Sequence, residues 1–412
     1  MITPETAQRI GEYYRTRQTT DSPNRLLTAF AVLGALLIGL GIILILAHNW
    51  DELSRGVKTA VAFLPLLVGQ GLCAYVFFKK NTNDIWRESA ATFLFIAIGA
   101  CISLVSQIYH VAGSMDSFLL SWILLGLPLV YLLRSSAAAL LYLLGLLAYV
   151  GIAGFGPSPG AAPYHFLLLL LPIVPHYRYL LRSDPRGNFT NAHNYLLPFL
   201  LLLILGTVTR ESYEWILLAY MSLFGIFCLI GRLPSVDFTE NGLDGWTVIG
   251  GGGTLALFFV ASFPDLWEDV AANTTSASAV FAAPEFWVAL ILFVGAAAWT
   301  YRQWGHQIRH PLSWAFVPFA LLFAIGLFVP LIAAILTNLL LLSYGVYFLK
   351  MGADRKHLGI LNFGLSLITL LVVCRFFDTN LSFVLRGALF ILLGAGFFAG
   401  NYLILKKRKH HA

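Results

Sequence analysis

Residues 90–110, AATFLFIAIGACISLVSQIYH, contain no Asp, Glu, Lys or Arg and are apolar over most of their length. A helix of about 20 apolar residues crosses the roughly 30 Å of hydrocarbon in a bilayer. Similar stretches recur along the 412-residue chain, in which 58% of the residues are hydrophobic and 11% are charged. Soluble domains carry about 25% charged residues and could not bury so much apolar surface. The sequence therefore predicts an all-α, polytopic transmembrane helix bundle.

We predict about fourteen membrane spans, because fourteen segments approach the length that a span requires. The sixth contains Pro172 and Pro175, which predict a kink. The sequence predicts an amphipathic cytoplasmic helix at residues 1–24, before the first span. It predicts a basic cytoplasmic tail at residues 406–412, after the last span. The predicted spans are 26–48, 58–78, 90–110, 117–134, 136–155, 164–182, 194–209, 213–232, 246–263, 285–302, 312–328, 329–349, 358–377 and 383–405.

The distribution of basic residues predicts that both termini are cytoplasmic. Loops on the cytoplasmic side of a membrane are enriched in Lys and Arg. With the N-terminus inside and every span crossing, 21 of the 26 Lys and Arg residues fall on the inner side. Loss of two adjacent spans would preserve this segregation, so twelve spans fit the pattern as well. The orientation of the spans in the membrane accounts for the basic residues and hence for the net charge of +6. We therefore expect no nucleic-acid partner. The five outer basic residues are Arg55, Lys58, Arg210, Arg375 and Arg386.

The third span carries the clearest group of polar residues. Ser103, Ser106, Gln107 and His110 are spaced three and four residues apart, so they are predicted to share one face near the outer end of the helix. Polar groups inside hydrocarbon are costly and are often functional. This face is either a substrate-binding lining or a set of interhelical hydrogen bonds that holds the bundle together.

Two outer turns carry further candidate binding residues. Asp51 and Lys58 flank the start of the second span, and Asp378 and Arg386 lie at the equivalent place in the last hairpin. They form an outer polar vestibule, or else Asp51 caps the second helix while Lys58 extends along the membrane interface. A weak repeat between residues 51–80 and 378–407 links the two hairpins. The longest outer loop, 264–284, is predicted to be solvated.

Small residues are predicted to serve packing. The run Gly250–Gly253 lacks the residues that complete a phosphate-binding loop, and we expect close helix packing or a local break there. The four cysteines lie inside apolar spans and are predicted to be packing residues. The sequence contains no GxSxG, HExxH or Walker motif, so we expect no catalytic residue, metal or cofactor.

Several short motifs resemble a known family. The N-terminal segment ITPETAQRI (residues 2–10), Asn49-Trp50-Asp51 and the sequence QIYH (residues 107–110) followed by LLRS (132–135) are similar to motifs of the domain of unknown function 2157 family of bacterial membrane proteins. The resemblance covers roughly residues 1–150, so we divide the chain into a family-like region, 25–150, and the remaining spans, 151–405. It implies a location in the bacterial inner membrane, and the family has no established activity.

Two functions fit these features best. The first is a transporter or flippase-like protein for a small or lipidic substrate, because the chain has many spans, little mass outside them and a polar face on the third span. The second is a non-catalytic membrane scaffold or sensor that works with an envelope or membrane-anchored partner. A membrane-embedded enzyme that acts on lipid is a third hypothesis, for which no acid/base pair at fixed spacing is found.

Overall fold

The computed structural model describes residues 50–156, 163–209, 213–233, 236, 244–273, 277–302 and 311–378, with five isolated positions between 387 and 398. Within these residues the chain forms 15 α-helices and one 3-10 turn and contains no strand, which confirms the all-α prediction. The predicted helix at 1–24, the first span and the basic tail lie outside the described residues. So does most of the last span, together with the second copy of the weak repeat.

The helices follow one another with short connections. Their bounds are α1 Arg55–Lys79, α2 Asp84–Tyr109, α3 Met115–Leu132, α4 Ser136–Phe155, α5 Pro163–Leu170, α6 Ile173–Ser183, α7 Asn188–Gly206, α8 Tyr213–Ile230, α9 Gly245–Ala261, α10 Pro264–Asn273, α11 Ala277–Ala282, α12 Pro284–Arg302, α13 Phe316–Gly326, α14 Pro330–Asp354 and α15 Leu358–Asp378, with the 3-10 turn Pro311–Trp314 before α13.

Eight of these helices are long and apolar enough to cross a membrane. They are α1, α2, α3, α4, α7, α12, α14 and α15, which correspond to eight of the fourteen predicted spans. Four other predicted spans do not form one long helix each. The sixth is broken into α5 and α6, and three more correspond to the shorter or bent helices α8, α9 and α13. If α9 and α10 together make one bent span, the described residues contain nine candidates. The chain is therefore a helical protein with several apolar spans, and the total of fourteen stays a prediction.

The predicted outer loop 264–284 is not a solvated loop over its first half. Residues Pro264–Asn273 form helix α10, and the side chains of Trp267 and Val270 are fully buried. Asp265, Glu268 and Asp269 made the segment look like a solvent-exposed loop, but Trp267 and Val270 are three residues apart and share one face of the helix. That face packs into the apolar core.

The described residues divide into two compact units. Residues 50–68 and 99–112 belong to the first unit, which contains the beginning of α1 and the end of α2. Residues 69–98 and those after 112 belong to the second. The core of the second unit is formed by α8, α9, α10 and α12 to α15, with Phe258, Trp267, Phe316 and Phe319 completely buried at its centre.

Helices α9 and α10 meet at a bend of 82°. The backbone carbonyl groups at the bend have side-chain donors from neighbouring helices. Trp267 Nε1 donates to Ala261 O at 2.6 Å, and Asn338 Nδ2 donates to Ser262 O at 2.8 Å. Arg375 donates to Ser262 Oγ at 3.2 Å. The bonds from Trp267 and Asn338 give the carbonyl groups at the bend a donor, and unpaired carbonyl groups would be costly in an apolar environment.

The predicted kink in the sixth span is confirmed as a break between α5 and α6 at Leu171 and Pro172. Here neighbouring side chains bond a carbonyl group at the end of α5 and the N-cap carbonyl group of α6. The Tyr142 hydroxyl donates to Leu169 O at 2.6 Å, and the Tyr131 hydroxyl donates to Pro172 O. Pro175 lies in the first turn of α6, where a missing backbone N–H costs no helical bond.

A carboxylate from α2 caps the beginning of α4. Glu88 Oε1 accepts from the Ser136 backbone N–H at 2.9 Å and Oε2 accepts from the Ala137 N–H at 2.8 Å. The Ser135 hydroxyl also donates to Glu88 Oε2, and its oxygen accepts from the Ala138 N–H at 3.1 Å. The first amides of a helix lack helical acceptors and carry the positive end of its dipole. The Glu88 carboxylate accepts hydrogen bonds from two of these amides and places a negative charge at the positive end of the dipole. It also links α2 to α4.

Glycines bring several helices into backbone contact. A Cβ on Gly250 would lie 2.8 Å from Phe224 O, and one on Gly253 would lie 2.2 Å from the Phe224 ring. The run Gly250–Gly253 thus packs α9 against α8, which confirms the packing prediction, and the helix bends only beyond residue 261. Of the four cysteines predicted to be packing residues, Cys73, Cys101 and Cys228 are buried and Cys374 is half-buried.

The closest pair is α14 and α15, which form an antiparallel hairpin. A Cβ on Gly364 would lie 2.5 Å from the Leu349 nitrogen and 2.8 Å from Gly345 O. Backbone atoms cannot move aside as a flexible side chain can, so this contact requires glycine.

We expect Gly364→Ala to lower the melting temperature of the protein in detergent, measured by circular dichroism. Overpacking costs about 1–3 kcal/mol, more than the gain of about 1 kcal/mol when alanine replaces glycine in a helix. Gly71→Ala is the matched control, because a Cβ at this helical position meets no atom within 4 Å. Equal melting temperatures for the two variants would contradict the close contact.

Candidate functional site

The candidate binding residues of the first outer turn and of the third span lie at one end of the first unit. The hydroxyl oxygens of Thr59 and Tyr109 are 3.0 Å apart and share a hydrogen bond. This bond joins the first turns of α1 to the last residue of α2. Lys58 precedes Thr59 and His110 follows Tyr109, so the two predicted groups approach each other across this contact. We call residues 50–59 and 103–110 the polar end of the first unit.

Within the polar end, Lys58 and Asp51 have different surroundings. The Lys58 Nζ lies 5.7 Å from the centre of the Trp50 ring, a cation–π contact. Asp51 is exposed in the turn before α1. The prediction that Asp51 caps this helix is wrong. The cap is Ser54, whose Oγ accepts from the Val57 N–H at 3.4 Å, because the helix begins at Arg55, four residues after Asp51.

Two of the four polar residues at the end of α2 bond to nearby backbone. The Ser106 hydroxyl donates to Val111 O at 3.1 Å, and His110 Nδ1 lies 2.9 Å from Gln107 O. His110 adopts a φ of 52°, a left-handed conformation that ends the helix. Both side chains therefore help to terminate α2. Ser103 and Gln107 are exposed on the helix surface.

The predicted pair in the last hairpin is described only in part. Asp378 is the last residue of α15. Arg386 lies outside the described residues. Their predicted role in a second vestibule stays a prediction.

One buried polar cluster in the described part of the second unit was not predicted from the sequence. Its members are His176 and Tyr177 on α6, His193 and Asn194 on α7, and Trp246 on α9. Apart from Tyr177, which is partly buried, each is at most 5% exposed. We call these five residues the imidazole cluster.

Hydrogen bonds link three members of the imidazole cluster across three helices. Trp246 Nε1 donates to the Tyr177 hydroxyl at 2.9 Å, and that hydroxyl donates to Asn194 Oδ1 at 2.6 Å. Gly245 makes the contact with α9 feasible, because a Cβ there would lie 2.4 Å from Asn194 O. The hydroxyl of Tyr177 is thereby used as both donor and acceptor.

The two histidines of the cluster have neighbouring rings, with centroids 5.9 Å apart. His193 Nδ1 lies 2.7 Å from Phe189 O. Because a carbonyl oxygen only accepts, this nitrogen carries the hydrogen. The Nε2 atoms of both rings are buried and have no hydrogen-bond partner among the described residues.

The cluster could have been suspected from the sequence. His176, His193 and Asn194 lie in or beside apolar segments, where polar side chains are uncommon. No shared helix face marks the two histidines in the sequence. His176 and His193 are on different helices, and only their antiparallel packing brings them together. Within the described residues no group of three or more His, Cys, Asp or Glu is arranged to hold a metal.

We expect Tyr177→Phe to destabilise the protein by roughly 1–3 kcal/mol, because it removes the acceptor of Trp246 and leaves a buried donor unsatisfied. The measurement is thermal unfolding in detergent. Tyr164→Phe is the control, since the Tyr164 side chain is 60% exposed. An equal effect of the two substitutions would rule out an important contribution from the Tyr177 hydrogen bonds.

Comparison with known proteins supports the family resemblance and adds no further relative. No curated protein and no solved structure matches the chain. The family model described as a predicted membrane protein, DUF2157, matches residues 1–139, from the N-terminus into the first turn of α4.

Proposed function

We propose that the chain is a transporter or flippase-like protein for a small or lipidic substrate, in the inner membrane of a bacterium. The observation that carries this proposal is the hydrogen bond between Thr59 and Tyr109, which brings two polar segments to one end of an otherwise apolar unit. The exposed side chains of Asp51, Ser103 and Gln107 would meet the substrate there.

The bent helix pair α9 and α10 supports the same proposal. Discontinuous helices recur in membrane transporters, where non-helical backbone is tolerated only if protein groups bond it or a cavity adjoins it. The bend at Ser262 is bonded by Asn338 and Arg375. A cavity beside Trp215, Phe286 and Phe293 measures about 80 Å³. Ligand sites usually occupy about 300–1,000 Å³, so this cavity is smaller than a usual ligand site.

A transport assay tests the proposal. The protein is reconstituted into liposomes, with flipping of fluorescent phospholipids and counterflow of small solutes as the measured rates. We expect Gln107→Ala and Thr59→Val to lower the rate about fivefold, the effect of losing one hydrogen bond of about 1 kcal/mol. Gln70→Ala, which changes an exposed glutamine elsewhere on α1, should leave the rate unchanged. Absence of flux for all probes would refute the proposal.

A second candidate is a scaffold or sensor with an envelope partner. The observation that favours it is that Ser106 and His110 bond backbone atoms at the end of α2. These side chains are held in place by the protein itself, which suits a fixed protein-binding surface better than a substrate-binding lining. Purification from native membranes would then recover a stoichiometric partner that is lost in Gln107→Ala. Recovery of the protein alone, together with measurable flux, would favour transport.

For the topology, we propose fourteen spans with both termini in the cytoplasm. The support is the placement of 21 of the 26 basic residues on one side. Single cysteines at Ser114 and Ser183 of a cysteine-free variant should react with an impermeant reagent from opposite sides, Ser114 from outside. Labelling of both from the same side would contradict this topology.

A further inference from the structure

We propose that His176 and His193 bind a monovalent d10 metal ion of the copper(I) class through their Nε2 atoms. The site lies between α6 and α7. This inference does not depend on the proposed transport, because it concerns residues of the second unit that the transport proposal does not use.

The protonation state of His193 suits a metal ligand. Its Nδ1 donates to Phe189 O at 2.7 Å, which leaves the lone pair on Nε2. Histidines that bind metals usually donate their other ring nitrogen to a carbonyl or carboxylate in this manner, which fixes both tautomer and ring orientation. A neutral imidazole is the form that binds a metal.

Both Nε2 atoms need a partner that the described side chains do not supply. His193 is completely buried and His176 is 5% exposed, yet neither Nε2 has a hydrogen bond. Buried polar atoms in folded proteins are almost always bonded. Tyr177, the nearest hydroxyl along the chain, is committed to Asn194 and Trp246. With the His176 ring protonated on Nδ1, an added ion that accepts two nitrogen lone pairs would satisfy both rings at once.

The separation of the rings indicates the kind of ion. Two imidazoles on a linearly coordinated ion have centroids about 6 Å apart, given metal–nitrogen distances of about 2 Å and a ring radius of about 1.1 Å. A tetrahedral angle would reduce the separation to about 5 Å. The observed separation is 5.9 Å. The observed value lies between these limits and closer to the linear one, so the two rings leave room for an ion bonded to both Nε2 atoms at a wide angle, as in two-coordinate complexes of d10 ions such as Cu⁺ and Ag⁺.

Charge points to the same class. The ligands offered here are two neutral imidazoles, so the site keeps the whole charge of the ion. Burying a charge costs more as the charge increases, which favours a monovalent ion over Zn²⁺. Imidazole is a common ligand for copper, whereas Mg²⁺ and Ca²⁺ prefer oxygen.

The test is a titration of the full-length protein, labelled with ¹⁵N-histidine in detergent, with Ag⁺ as the redox-stable probe. The four cysteines also bind Ag⁺, so the titration continues past the equivalents that thiols can take up. Imidazole nitrogens are observed directly and are not confused with thiol binding. We expect the Nε2 signals of His176 and His193 to shift together, while the exposed His165 stays unchanged until excess Ag⁺ is present.

The variants His176→Gln and His193→Gln assign the two signals, and each should weaken Ag⁺ binding at the remaining histidine at least tenfold. Unchanged Nε2 signals in excess Ag⁺ would mean that water alone satisfies the nitrogens and would overturn the proposal. A shift with Zn²⁺ and none with Ag⁺ would overturn it as well. If either variant fails to fold, the wild-type titration alone still decides, since the two signals either shift together or do not.

Discussion

The structure depends on satisfying backbone polar groups wherever a helix begins, ends or breaks. In an apolar environment no water can bond a freed carbonyl or amide, and each unsatisfied group costs several kcal/mol. Helix interiors meet this requirement by themselves, but helix ends and breaks do not. At the bend after α9 the donors to backbone carbonyl groups are Trp267 and Asn338. At the break before α6 they are Tyr131 and Tyr142.

Many polar side chains of the second unit bond backbone carbonyl groups. Some bond a helix end or break, and Ser222, Thr254 and Thr337 bond the carbonyl group four residues earlier in their own helix. The imidazole cluster differs in this respect, because Tyr177 and Trp246 bond side chains and not a helix terminus. His176 and His193 add two buried nitrogens that no described helix end requires. The cluster therefore calls for an explanation other than folding alone.

The long apolar helices were predictable because length and hydropathy alone define a span, and eight predicted spans are helices of that kind. The break at Pro172 was also predictable, from the chemistry of proline. Helix α10 was missed because its three carboxylates concealed the two apolar positions, Trp267 and Val270, that pack into the core. An acidic segment of ten residues can be amphipathic, and its buried face is evident only when spacing is considered together with charge.

The candidate site was predictable only along single helices. Spacing placed Ser103, Ser106 and Gln107 on one helix, but it could not show that Ser106 bonds the chain beyond the helix end. Asp51 was one candidate for the N-cap of α1, because the exact first residue of a helix is not evident from the sequence. The N-cap is Ser54. His176 and His193 are separated by 17 positions on two antiparallel helices, so their proximity is a tertiary property.

The carboxylate that caps α4 makes the effects of substitutions at two distant positions depend on each other. Glu88 and residues 135–137 both fall inside the segment that the family model matches. Loss of the acid would leave amides at the start of α4 without acceptors, and loss of Ser135 would leave the acid with fewer donors. The effect of a substitution at either position therefore depends on the residue at the other, which couples two sites 47 residues apart in the chain.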